Sequence, residues 1–163
     1  MEYKFLLADE KMLDDIFELF IKRIKWMDSV GIRQWNVTNY IEAYPKEYYQ
    51  RQIEEKHLYV IIDDNDKVIS AVVLLEDDEL WNDKISAYYV HNLVTDMKIK
   101  GIGKKMLECV EDLARKNKKT KLRLDCAEDN AFLNNYYESK GYLFVGKCEE
   151  GVYKGNKRQK NLE

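Results

Sequence analysis

Apolar positions in this chain fall into two kinds of pattern, one recurring at helical spacing and one packed into short β-branched runs. Residues 3–8 predict a first strand. Asp9 is placed to cap a helix in which Leu13, Ile16, Phe17, Phe20 and Ile24 recur at helical spacing, ending near Gly31. Residues 31–36 read as a loop that carries a large aromatic, Trp35, and Pro45 suits the first turn of a second helix through Gln52. Residues 58–63 and 68–75 are β-branched runs around Asp64-Asn65-Asp66, which is turn chemistry, so they predict an antiparallel hairpin. An acidic run, residues 76–83, then leads into a strand over residues 86–94.

The stretch that follows carries the chemistry. The apolar strand ends in Val90-His91-Asn92-Leu93-Val94 and runs into Lys98-Ile99-Lys100-Gly101-Ile102-Gly103-Lys104-Lys105, a basic glycine turn that opens a helix. The first N–H groups of a helix have no internal partner, and the positive end of its dipole favours an anion beside them. Glycine at 101 and 103 lets an anion approach the backbone, and the lysines add charge, so amides between Ile99 and Lys104 are expected to hold a diphosphate. The same glycines also serve ordinary turn geometry. Neither the Walker A pattern nor the three-glycine dinucleotide fingerprint is present, which argues against an ATPase and against a nicotinamide enzyme.

The helix after the turn places Met106, Leu107, Val110, Leu113 and Ala114 on one face, and a Lys-rich loop leads to a strand over residues 121–125. A right-handed crossover makes the 86–94 and 121–125 strands parallel neighbours, with the glycine turn at their carboxyl end. A last helix over residues 131–140 stops at Gly141, and a terminal β region begins at residues 142–146 and reaches toward Tyr153. The basic tail, residues 154–160, reads as a frayed, solvated end. The expected fold is α/β, a single domain over residues 1–163.

Composition narrows the function classes. With 163 residues, 45% hydrophobic and 35% charged, the chain suits one globular domain without disulfide or metal staples. A net charge of −3 gives no basic footprint for nucleic acid. No apolar run approaches a membrane span and the first residues lack secretory-signal character, so a cytoplasmic protein is expected. Cys109, Cys126 and Cys148 are an odd number at wide spacing, which predicts neither a disulfide framework nor a metal site.

The element order and two motifs resemble the GNAT acetyltransferase superfamily. The first motif, Arg/Gln-x-x-Gly-x-Gly/Ala, is matched by Lys98-Ile99-Lys100-Gly101-Ile102-Gly103 with lysine leading. The second places Asn130 ahead of Tyr136-Tyr137-Glu138 and Gly141-Tyr142. Arg123-Leu124-Asp125-Cys126 also resembles a string in small bacterial members. The resemblance implies a mixed, mostly antiparallel central sheet flanked by helices, with a splayed parallel pair at 86–94 and 121–125. It implies an acetyl-CoA-dependent N-acetyltransferase acting on a primary amine of a small molecule or peptide by direct transfer in a ternary complex. It further implies that the loop amides hold the pyrophosphate, that Leu93 and Val94 hold the pantetheine arm and acetyl carbonyl through their main chain, that Asn130 contacts the cofactor arm, and that Tyr137 protonates the departing thiolate. The edges of such a sheet admit a homodimer.

Each role has a structural rival. Tyr137 is a general acid or a core tyrosine. Histidine is the side-chain type whose unperturbed pKa lies near neutrality, and His91 is either the base that takes the ammonium proton or a hydrogen-bonding residue beside a water relay. The acidic run either draws a cationic acceptor such as a polyamine, an aminoglycoside or a protein amino terminus, or is a solvated hairpin. Trp35 and Trp81 either wall an amine site or pack in the core or a lid. Two other functions remain open: a non-catalytic acyl-CoA-binding or interaction module, and transfer to a hydroxyl or of a longer acyl chain.

Overall fold

The computed structural model describes residues 2–32 and 35–162. Seven strands, β1 (Lys4–Leu7), β2 (Leu58–Ile62), β3 (Val68–Leu75), β4 (Ala87–Thr95), β5 (Lys121–Ala127), β6 (Leu143–Glu150) and β7 (Tyr153–Asn161), form one sheet in the order β1-β2-β3-β4-β5-β7-β6. Every neighbouring pair is antiparallel except β4 and β5. The helices are α1 (Leu13–Val30), α2 (Tyr40–Ala43), α3 (Lys46–Glu54), α4 (Ile102–Lys116) and α5 (Ala131–Ser139). The mixed α/β fold expected from the motifs is therefore present.

Both sheet faces are covered, which explains why β3 reads as an apolar run broken only by Ser70. Along β3, Ile69, Val72 and Leu74 pack with Met106, Val110 and Ala114 of α4. Val68, Ala71 and Val73 face the other way, onto Ile16 and Phe20 of α1 and Tyr49 and Ile53 of α3. Asp9 caps a 3₁₀ turn at Glu10–Met12, its carboxylate accepting from the Lys11 N–H, and α1 follows directly. Gly31 ends α1 at φ 76°, the left-handed cap that glycine adopts without a Cβ penalty.

The parallel pairing is short. β4 and β5 are in register only through Ala87–Tyr89 and Lys121–Arg123. Beyond Tyr89, β4 continues against β3 alone, while β5 continues to Ala127 against β7. The bend has a local cause: the β3–β4 register shifts between Ala71 and Val73, opposite Asn92, which sits at φ 51°. A bulge of this kind turns a strand and ends its pairing.

The basic tail is not frayed. Residues 154–160 form most of β7, which lies inside the sheet between β5 and β6. Its polar side chains gave no strand pattern because they find buried polar partners. Arg158 donates to the Asn134 side chain and to the Tyr142 carbonyl, Asn156 donates to Asn134, and Lys160 pairs with Glu111 at 2.9 Å.

Candidate active site

Where β4 and β5 part, a cleft of about 670 Å³ opens, with the start of α4 on one lip and α5 on the other. Asp96 builds the turn that leads into α4. Its carboxylate accepts the Lys98 N–H at 3.0 Å and its carbonyl accepts the Ile99 N–H at 3.1 Å. The Ile99 amide, expected to face an anion, is thus engaged within the turn. The first helical bond runs from the Lys105 N–H to the Gly101 carbonyl, so the amides of Ile102, Gly103 and Lys104 precede the helix's own ladder. Those residues line the cleft, together with Ile99 and Gly101. Lys104 lines it as well and sits 3.9 Å from Glu108, whereas Lys98 and Lys100 are exposed and lie outside the lining.

The two glycines serve different purposes. Gly101 stands at φ 81°, a backbone conformation that side chains resist. Gly103 has no such constraint. A Cβ there would meet the Tyr136 hydroxyl at 3.8 Å and Thr95 Cγ2 at 3.9 Å, ordinary contacts that the protein's own packing would accept. The missing Cβ therefore leaves room at the helix start for a ligand, and the cradle fits a phosphate-bearing group. Exposed apolar side chains collect on the same cleft, with Trp26, Met97 and Phe132 among them. Such clustering marks a surface that a ligand covers.

Across the cleft, Tyr137 of α5 is half-buried beside the Tyr136 and Tyr142 rings, 5.5 and 5.9 Å away. Burial raises its hydroxyl pKa well above the ordinary value, so the group keeps its proton at neutral pH. Cys126 also lines the cleft, and burial pushes its thiol up to about 11. Arg23 of α1 closes the far side by donating to the carbonyl and hydroxyl of Thr95, at 3.1 and 2.7 Å.

Asn130 and Val94 sit elsewhere. Asn130 is the N-cap of α5, its side chain accepting from the Leu133 N–H at 3.0 Å, and it lines a separate hollow with Gly31 and Ile32. The Val94 side chain is buried among the residues under α1, and its carbonyl accepts from the Ser70 hydroxyl at 2.8 Å. Leu93 does reach the cleft.

His91 lines a second cavity, of about 470 Å³, and not the cleft beside Tyr137. Its Nε2 lies 2.8 Å from Asp78 Oδ2. Burial works to raise the Asp78 carboxyl, but His91 and the Leu80 N–H outweigh it and hold the group below its usual value. The two cavities share Trp35, Val90, Asn92 and Asp125, and so they join at the splay. Asn92 is fixed there by hydrogen bonds to Tyr48 and Tyr40. Asp125 accepts from the Tyr153 hydroxyl at 2.6 Å.

Sequence reasoning missed Asn92, Asp125 and Tyr153 as site residues. A polar His91-Asn92 pair within an apolar strand was a usable signal for the first and the Arg123-Leu124-Asp125-Cys126 string for the second, while Tyr153 had none. The acidic run is mostly spent internally: Glu76 pairs with Lys119 at 2.6 Å, and Asp83 takes both terminal nitrogens of Arg123 at 2.6 and 2.8 Å. Trp81 is buried between Arg123 and Lys157, 4.4 and 4.9 Å from its ring, and packs instead of walling a site. Among the described residues no His, Cys, Asp and Glu group has metal-site spacing, and no helix is long and apolar enough to cross a membrane.

A parted strand pair beside a helix start with free amides leaves room for an extended, anion-bearing ligand to run into the sheet. The sequence agrees at the level of family: residues 29–142 match the family model described as acetyltransferase (GNAT) family, and the chain belongs to that family. It is 27% identical over 150 residues to the uncharacterized N-acetyltransferase YesJ of Bacillus subtilis (strain 168), covering 86% of this chain and 81% of that one. A GNAT family acetyltransferase from Listeria monocytogenes 4b F2365 shares the fold with a TM-score of 0.83 at 24% identity, over 99% of this chain and 95% of that one. The PaiA N-acetyltransferase of Thermoplasma acidophilum, solved in complex with coenzyme A, shares it at 0.73 and 16% identity over 99% of both chains.

Proposed function

We propose that this protein is an N-acetyltransferase that moves an acetyl group from acetyl-CoA to a primary amine by direct transfer, with donor and acceptor bound together. The observation that carries this reading is the junction of the two cavities at the splay, bounded by Asn92 and Asp125. A donor laid along the cleft and an acceptor in the second cavity would meet there. The coenzyme A complex of the Thermoplasma acidophilum relative supports the same donor here.

Acetyl-CoA supplies an acyl group activated as a thioester. The protein's own groups account for the rest. The amides of Ile102, Gly103 and Lys104 hold the diphosphate against the helix dipole, with the Lys104 ammonium beside it. The edge of β4 at Leu93, which β5 has left, offers peptide groups to the donor arm and to the acyl oxygen as it gains charge. Tyr137, kept protonated by burial, delivers its proton to the departing sulfur. Asp78, 2.8 Å from Nε2, leaves the other ring nitrogen of His91, Nδ1, to take the ammonium proton directly or through water. Cys126, held as a thiol, is a poor nucleophile, which favours direct transfer over an acylated cysteine.

Calorimetry with coenzyme A and thiol release from acetyl-CoA against a panel of amines test the reading. Binding together with amine-dependent thiol release is expected. Binding without release would indicate a non-catalytic acyl-CoA-binding module, and absence of binding would remove both.

A further inference from the structure

The second cavity has a chemistry of its own. Trp35, Tyr40 and Tyr44 form one wall, with Trp35 stacked on Tyr40 at 4.5 Å and Tyr40 against Tyr44 at 4.8 Å. Two carboxylates line it at different depths. Asp125 stands at the junction with the donor cleft, and Glu150, the last residue of β6, lines only this cavity. Among the described residues no lysine or arginine lines it.

Both carboxylates lack a cation of their own. Glu150 has no ion-pair or hydrogen-bond partner for its side chain among the described residues. Asp125 has only the Tyr153 hydroxyl, while His91, Asp78 and Lys157 act on it through charge alone. Burial lifts the Asp125 carboxyl above its usual range, the condition of a carboxylate with too little positive charge near it. The contact with Tyr153 is built in. A Cβ on residue 155 would come within 2.6 Å of the Tyr153 hydroxyl and 2.9 Å of Cys148 Sγ, so glycine at 155 is what lets that hydroxyl reach Asp125.

We infer that the acceptor is a linear diamine or polyamine, its reacting amine at Asp125 and a second ammonium group at Glu150. This inference rests on the acetyltransfer reading for the identity of the reaction, but the cavity chemistry is independent of it. The aromatic wall suits the intervening chain twice over, since ring faces attract ammonium groups and the ring bodies cover methylenes. An acceptor with a carboxylate at its far end would place like charge against Glu150.

The test uses the full chain with saturating acetyl-CoA. Thiol release is measured with a linear triamine, a monoamine of the same chain length and an amino acid whose carboxylate occupies the far end. The triamine should have a kcat/KM at least about tenfold above the monoamine, and Glu150→Gln should abolish most of that ratio. Glu150 is exposed at the end of β6 and its side chain has no internal hydrogen bond to lose among the described residues, so the variant retains its fold. Equal kcat/KM for triamine and monoamine, or an unchanged ratio in Glu150→Gln, overturns the inference while leaving acetyl transfer intact. Calorimetry of the triamine on coenzyme A-loaded protein decides the case in which no amine releases thiol. Binding that Glu150→Gln weakens then supports the cation site and removes the acetyltransfer reading; absence of binding overturns the inference.

Discussion

At the scale of single residues, the site depends on two groups whose effects are separable. The half-buried Tyr137 hydroxyl lies in the cleft, away from the amides at the start of α4. Tyr137→Phe removes the proton without changing the cleft's shape, so kcat should fall roughly a hundredfold with coenzyme A affinity retained. Unchanged turnover in a thiol-release assay would take the acid role from Tyr137. Gly103 works through an absence. Since a Cβ there would meet only ordinary contacts, Gly103→Ala should leave thermal stability equal or higher, because alanine favours a helix by about 0.5–1 kcal/mol. Coenzyme A should nevertheless bind at least about tenfold more weakly, as the added methyl fills the space beside the amides. Full affinity in that variant would show that the donor does not approach position 103.

At the scale of elements, α5 is held at both ends of its role: it carries Tyr137 into the cleft, and Asn130 starts it from outside the cleft. The family motif assigns Asn130 to the donor arm, while the geometry gives it the helix cap. Asn130→Ala should cost about 1 kcal/mol in urea unfolding, and Asn130→Asp should restore most of it because aspartate also caps. Donor affinity that drops in Asn130→Asp despite restored stability would return Asn130 to a direct contact. β4 shows a comparable division. Its first three residues bind β5, whereas the bulge at Asn92 frees the rest for the cleft, and a single polar residue fastened to Tyr40 and Tyr48 sets where one use ends.

At the scale of the whole molecule, the candidate site costs stability at Asp125. Burial raises its pKa, so the folded protein retains a proton that the unfolded chain releases in the ordinary carboxylate range. With more protons bound in the native state, stability falls as pH rises through the window from the unfolded value to the raised one, and the loss is complete above it. Asp125→Asn keeps an acceptor for Tyr153 and removes the titration. The Tm of the variant relative to the parent should therefore climb as pH rises from the ordinary carboxylate range toward the raised value, with turnover of cationic amines reduced. A Tm difference that stays flat with pH would show that Asp125 titrates normally.

The sequence alone determined the glycine turn, the crossover from strand to helix to strand, and the face of α5 that bears Tyr137. Each of these rests on residues close together in the chain, where periodicity, capping and backbone freedom are local. It did not reveal β7, whose strand is polar because Asn134 and Glu111, brought over from α5 and α4, satisfy Arg158, Asn156 and Lys160. Nor did it reveal the second cavity. Trp35, Asn92, Asp125 and Tyr153 come from four separate elements, and only the splay of β4 from β5 brings them to one place. The tertiary structure also decided which charges were free to act: it tied Glu76 and Asp83 to Lys119 and Arg123, and left Asp125 and Glu150 facing the cavity without a cation among the described residues.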